Sequence, residues 1–129
     1  MSSSSTFIVL SGETVIGWSA LEHGDPPMGM LLGDLHPSES YAEVGAVFRA
    51  LYSANETDRP DIYRAIEDLQ LRIETESGEI ISDTLGILDP GDDLPEELPY
   101  VDARCLSADV YRRHFRHHIQ AYDERFGGS

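Results

Sequence analysis

Between Thr6 and Leu35 the chain holds three short apolar runs whose connections are too short for a crossover helix. Neighbouring strands joined in that way must run antiparallel. "TFIVL" (Thr6–Leu10) and "TVIGWSALE" (Thr14–Glu22) flank Ser11-Gly12-Glu13, which reads as a β-hairpin. Gly24-Asp25-Pro26-Pro27 cannot be ladder interior, because two successive prolines withhold backbone donors. "MGMLLGDL" (Met28–Leu35) is then the third strand, with Gly29 and Gly33 permitting close approach or a bulge, and His36-Pro37 ends it.

The period then changes. In "SESYAEVGAVFRALYSAN" (Ser38–Asn55), Tyr41, Val44, Val47, Phe48 and Leu51 recur at helical spacing, and Ser40 with Glu43 has the form of a capping box. A second short helix is expected from Asp58, with Pro60 in its first turn and Ile62, Tyr63, Ile66 and Leu69 on its apolar face. Leu69, Leu71, Ile73 and Thr75 alternate with Gln70, Arg72, Glu74 and Glu76, the mark of a half-buried strand. Ser77-Gly78 turns it into a return strand, Ile81–Leu88, irregular at Ser82-Asp83. After the acidic, proline-broken "DPGDDLPEELP" (Asp89–Pro99), "YVDARCL" is the last strand. Ser107 caps a final helix carrying Tyr111, Phe115, His118, Ile119, Tyr122 and Phe126 on one stripe. The order β-β-β-α-α-β-β-β-α predicts an α+β fold. In it, two or three helices pack on one antiparallel sheet of about five or six strands. At 129 residues the expectation is a single domain, 1–129, with flexible tails at 1–5 and 127–129.

Charge sets the kind of partner. The 24 acids against 9 arginines give a net of −15. Residues 51–100 alone carry a net of −11, whereas residues 101–129 carry +1. Such a field repels nucleic acid and anionic membrane and attracts basic protein surfaces. No apolar run approaches bilayer length, and no segment has the form of a cleavable secretory signal. A lone Cys105 excludes an internal disulfide, fits a reducing cytoplasm and is expected to pack as a small buried hydrophobe.

"GWSALEHGDPPMG" (Gly17–Gly29), the later His36-Pro37 with Tyr41, and "LRIETESGE" (Leu71–Glu79) resemble a group of small uncharacterised bacterial proteins. Their signature is Gly-x-Ser-x-Leu-Glu-x-x-Asp-Pro-Pro-Met-Gly. The resemblance spans about two thirds of the chain. It implies a shared signature and transfers no activity or cofactor. As a class, small acidic α+β bacterial proteins also resemble immunity proteins that neutralise toxins, an analogy of class alone.

His23 and Asp25 on one side and Asp34 and His36 on the other sit at opposite ends of the expected third strand, about 25 Å apart at ~3.3 Å per residue. One shared site is therefore not expected, and a structural turn is. His114 and His118 share a helical face at metal-ligand spacing, yet HExxH is not matched. A packed His118 and solvated or ion-paired His114 and His117 are expected instead. The acidic loop has its glycine in the wrong place for a calcium loop, and "GWSAL" is not a nucleophile elbow.

The sequence thus points to a non-enzymatic, cofactor-free cytoplasmic inhibitor of a basic toxin or effector. Asp89, Asp92, Asp93, Glu96 and Glu97 would lead the partner surface, with Glu74, Glu76 and Glu79 on the hairpin and Tyr100 and Trp18 as possible anchors. The alternative is a small metal- or ligand-binding enzyme using His23, Asp25 or the C-terminal histidines.

Overall fold

The computed structural model describes residues 6–91 and 97–127. It is an α+β fold in which every strand pair is antiparallel, as the short connections require. Strand β1 (Phe7–Ser11) pairs with β2 (Thr14–Ser19) through the expected hairpin, and on its other side with β6 (Leu71–Thr75). Two short edge strands, β5 (His36–Pro37) and β7 (Ile80–Ser82), complete a sheet ordered β5-β2-β1-β6-β7. Its inner face presents Phe7, Val9, Ile16 and Ile73, all buried.

The strands divide between two sheets rather than lying in one. β3 (His23–Asp25), β4 (Met30–Asp34), β8 (Thr84–Leu88) and β9 (Tyr100–Arg104) form a second sheet ordered β3-β4-β9-β8. The chain passes between the sheets at Ala20–Glu22, at Leu35 and at Asp83, where strands bend from one layer into the other. The irregularity expected at Ser82-Asp83 is one of these corners. Buried Ser82 bridges it with its hydroxyl oxygen 3.0 Å from both the Thr84 and the Arg104 carbonyl, its one proton shared between them.

Helix α1 (Gly45–Ser53) starts later than its periodicity predicts. A 3-10 segment, Glu39–Glu43, precedes it, and the capping box of Ser40 and Glu43 does not form. Tyr41 lies across Gly45, where an added Cβ would fall 2.8 Å from its ring. Helix α2 (Arg59–Asp68) begins with Pro60 as expected, but Tyr63 faces solvent and the helix buries no residue fully. Ser107 caps α3 (Ala108–His114) by accepting the Val110 amide, 3.1 Å. The final helix is then broken. Phe115 leaves helical geometry, and α4 (Arg116–Tyr122) follows before a wide turn over Asp123–Gly127. Phe126 in that turn is exposed and leaves the apolar stripe.

One continuous core joins both sheets and the helices, with Phe48 and Phe115 as its largest fully buried side chains. Cys105 departs from expectation, being exposed on left-handed backbone at the end of β9. Among the described residues no helix is long and apolar enough to cross a membrane.

Candidate functional site

The "GWSALEHGDPPMG" stretch is the corner that carries the chain from the first sheet into the second. Leu21, fully buried, has φ +48, a conformation that costs a non-glycine residue about 1–3 kcal/mol. Two buried polar side chains hold it there. Ser19 Oγ accepts the Leu21 amide at 3.0 Å, and His118 Nε2 donates to the Leu21 carbonyl at 2.9 Å. The Ser19 hydroxyl is thus a buried strut and not a nucleophile. Gly24 seats the helix pair: a Cβ there would lie 2.5 Å from Tyr111 Oη and 2.7 Å from His118 Cγ. Tyr111 Oη in turn donates to the Met30 carbonyl, 3.0 Å. Burial holds the His118 imidazole below its ordinary pKa, partly offset by the Leu21 bond. This is the packed His118 that its place on the apolar stripe predicts.

His23–Asp25 was expected to be turn, yet it forms a strand paired with Met30–Leu32 around a 3-10 turn at Pro26–Met28. The ends of that hairpin therefore meet instead of lying about 25 Å apart, and the Asp34 amide donates to Glu22 Oε2 at 3.3 Å. His36 leaves for the first sheet and stacks on Trp18, ring centroids 4.0 Å apart. His23, Asp25 and His118 do share a groove of about 700 Å³ along β3, together with Tyr122, Arg125 and Phe126. Among the described residues no group of three or more His, Cys, Asp or Glu is placed to hold a metal. The break at Phe115 takes His114 and His118 onto separate helices, and His114 pairs with Glu79 at 2.9 Å.

Among the described residues, the acids proposed from sequence have different surroundings. Asp89 is a correction: it is buried, accepting from Tyr41 Oη at 2.7 Å, Arg49 Nη1 at 3.3 Å and the Gly91 amide at 2.9 Å. It ties α1 to the end of β8 and offers nothing to a partner. Burial, then the Asp89 hydrogen bond, raises the Tyr41 phenol pKa, so Tyr41 stays protonated and donating. Asp92, Asp93 and Glu96 lie outside the described residues. Glu74 pairs with Arg72 on its own strand, and Glu76 is exposed. Glu79 is clamped by Arg113 and His114, which hold its carboxyl down at about 2. That clamp fastens the β6–β7 hairpin to α3.

Glu97 and Tyr100 do come together. They line an open cleft of about 590 Å³ with Asp34, Tyr52, Leu88, Pro90 and Leu98. Register explains it: Tyr100 on β9 lies opposite both Asp34 on β4 and Leu88 on β8, so all three stand on the outer face of the second sheet. Leu88 is 54% exposed, Leu98 40% and Tyr52 39%, an apolar floor open to solvent beside two carboxylates. Burial first, then the charges of Asp34, Glu22 and Asp102, pushes the Tyr100 phenol pKa up. Sequence reasoning missed Tyr52, Leu88 and Leu98, and considered Asp34 only with His36 at the end of the third strand. The outward parity of Leu88 on β8 was the one signal available. Compared with protein-family models, curated proteins and solved structures, the chain finds no match in any of the three.

Proposed function

We propose that the chain is a non-enzymatic binding protein of the immunity or antitoxin kind, which covers a basic surface of a toxin such as a nuclease. The observation that carries this reading is the cleft, where exposed Tyr52, Leu88 and Leu98 and half-buried Tyr100 lie beside the carboxylates of Asp34 and Glu97. Apolar anchors rimmed by charge are the arrangement in which a few residues supply affinity while the field supplies encounter rate. The net charge of −15 selects a basic partner over an acidic one. Asp92, Asp93 and Glu96 fall in sequence between Pro90 and Glu97, both of which line the cleft.

The test is capture from a lysate of the native host with wild-type protein, with Asp34→Arg/Glu97→Arg, and with Tyr100→Ala/Leu88→Ala. A basic protein retained by the wild type, released at high salt and lost from both variants is expected. Retention unchanged by either variant would refute the assignment of the cleft.

A small ligand-binding enzyme is the second reading, favoured by the groove that gathers His23, Asp25 and His118. Saturable binding of a small molecule, abolished by His23→Ala with the fold intact, would move the function there.

A further inference from the structure

Elsewhere in the fold, partly buried carboxylates are matched by arginines of the same chain. Glu74, Glu79, Asp89 and Asp102 hold Arg72, Arg113, Arg49 and Arg104 in turn. At Asp89 a tyrosine shares the carboxylate, since Tyr41 Oη donates to the same Oδ2 that Arg49 approaches. Asp34 and Glu97 depart from this pattern. Among the described residues neither makes an ion pair, and no arginine lines their cleft. Arg59 lines the adjoining groove, beyond Tyr52 and Leu88. The cleft nevertheless has the other parts of such a seat. The Leu35 amide donates to the Pro99 carbonyl at 2.8 Å, which makes the adjoining Asp34–Tyr100 pair the non-hydrogen-bonded kind, with Cα atoms about 4.5 Å apart. The Asp34 carboxylate and the Tyr100 ring therefore stand side by side on the outer face of the second sheet, with Leu88 on the far side of Tyr100.

The lining selects the occupant. Carboxylates without an ion-pair partner call for a cation, and the aromatic and apolar surface beside them decides which one. A guanidinium is planar and weakly hydrated, stacks on aromatic rings and presents paired donors to carboxylates. A lysine ammonium is compact and strongly hydrated, so entry into an apolar-floored cleft costs it more hydration. An acidic side chain would be repelled by Asp34 and Glu97, and a neutral one would leave them uncompensated. We infer that the cleft is the seat for one arginine side chain of a basic partner protein. Its guanidinium lies over Tyr100, facing Asp34 and Glu97, and its aliphatic stem runs along Leu88 and Leu98. The inference rests on the cleft being the partner surface and narrows the partner's contribution there to a single anchoring residue.

The field of net −15 attracts any cation, so a preference between two cations reads the seat itself. The probes are N-acetyl-arginine amide, N-acetyl-lysine amide and the uncharged N-acetyl-citrulline amide. Each is titrated from about 0.1 to about 50 mM into the labelled full chain at constant ionic strength, and amide chemical shifts are followed. The expected result is saturable shifts at Tyr100, Leu88 and Leu98, with arginine at least about fivefold tighter than lysine and citrulline weakest. Asp34→Asn/Glu97→Gln and Tyr100→Ala, checked by circular dichroism, each weaken arginine binding by roughly fivefold or more. Ile80→Asp, exposed on the outer face of the five-stranded sheet, leaves it unchanged. Equal affinity for arginine and lysine, or arginine binding that persists in Asp34→Asn/Glu97→Gln, would overturn the inference. If capture of a basic protein still depends on the cleft, that outcome leaves the binding reading intact. Arginine preference at the cleft without cleft-dependent capture would exclude a partner's arginine and point to a free guanidinium compound.

Discussion

Removing the His118 side chain tests whether the sheet-to-sheet corner is held as the geometry says. In His118→Ala the Leu21 carbonyl, on a fully buried residue, loses its side-chain donor, at a cost of about 1–3 kcal/mol. The ring also stacks on Phe115 with centroids 5.9 Å apart, and emptying that space adds about 1–2 kcal/mol. A total near 3 kcal/mol is a large share of the ~5–15 kcal/mol stability of an ordinary domain. His118→Gln can keep a donor and should cost about 1 kcal/mol. The pH dependence distinguishes them further. Because burial lowers the folded-state pKa of His118, the unfolded chain holds more protons between that value and about 6.5. Stability therefore falls as pH drops through that window and levels off below it, with full stability above. His118→Gln removes this component, so its stability declines less than the wild type's between pH 7 and pH 5. Urea denaturation across pH 5–8 on the three proteins measures both effects. A His118→Ala protein within about 0.5 kcal/mol of wild type, or identical pH slopes for wild type and His118→Gln, would refute the reasoning.

Two further outcomes follow from the placement of the acids. Asp89→Ala should destabilise by about 3 kcal/mol in denaturant, because it orphans the buried Tyr41 hydroxyl and unpairs Arg49, whereas Glu76→Ala, at an exposed position, should stay within about 0.5 kcal/mol. The Glu79 carboxyl should titrate near 2 by NMR in the wild type and move toward the ordinary glutamate value in Arg113→Ala; an unmoved midpoint would mean the clamp is absent in solution.

What was legible from sequence follows the range of the interaction. The β1–β2 hairpin, the alternation of Leu71 to Thr75, Pro60 in the first turn of α2 and the Ser107 cap are set by neighbours within a few residues, and each stands in the structure. His23–Asp25 was hidden as a strand because its residues are turn formers, and only pairing with Met30–Leu32 makes it extended. The break at Phe115 was hidden for the converse reason. The stripe is helical on both sides, and the change of direction that buries both Tyr111 and His118 is a tertiary effect. Asp89 was read with the charged run it opens, although its partners Tyr41 and Arg49 lie 48 and 40 residues away. The same limit applies to the cleft. Tyr100 and Glu97 could be named from composition, but Tyr52, Leu88 and Asp34 join them only through strand order and register.

The most direct measurement is amide chemical-shift mapping of the labelled chain during titration with a basic protein retained in the proposed capture experiment. The account predicts perturbations centred on Tyr100, Leu88, Leu98, Tyr52 and Asp34, weakening as salt rises, with the outer face around Trp18 and Ile80 unchanged. Perturbations centred on Trp18 and Ile80, or on the groove at His23 and His118, with the cleft silent, would contradict it.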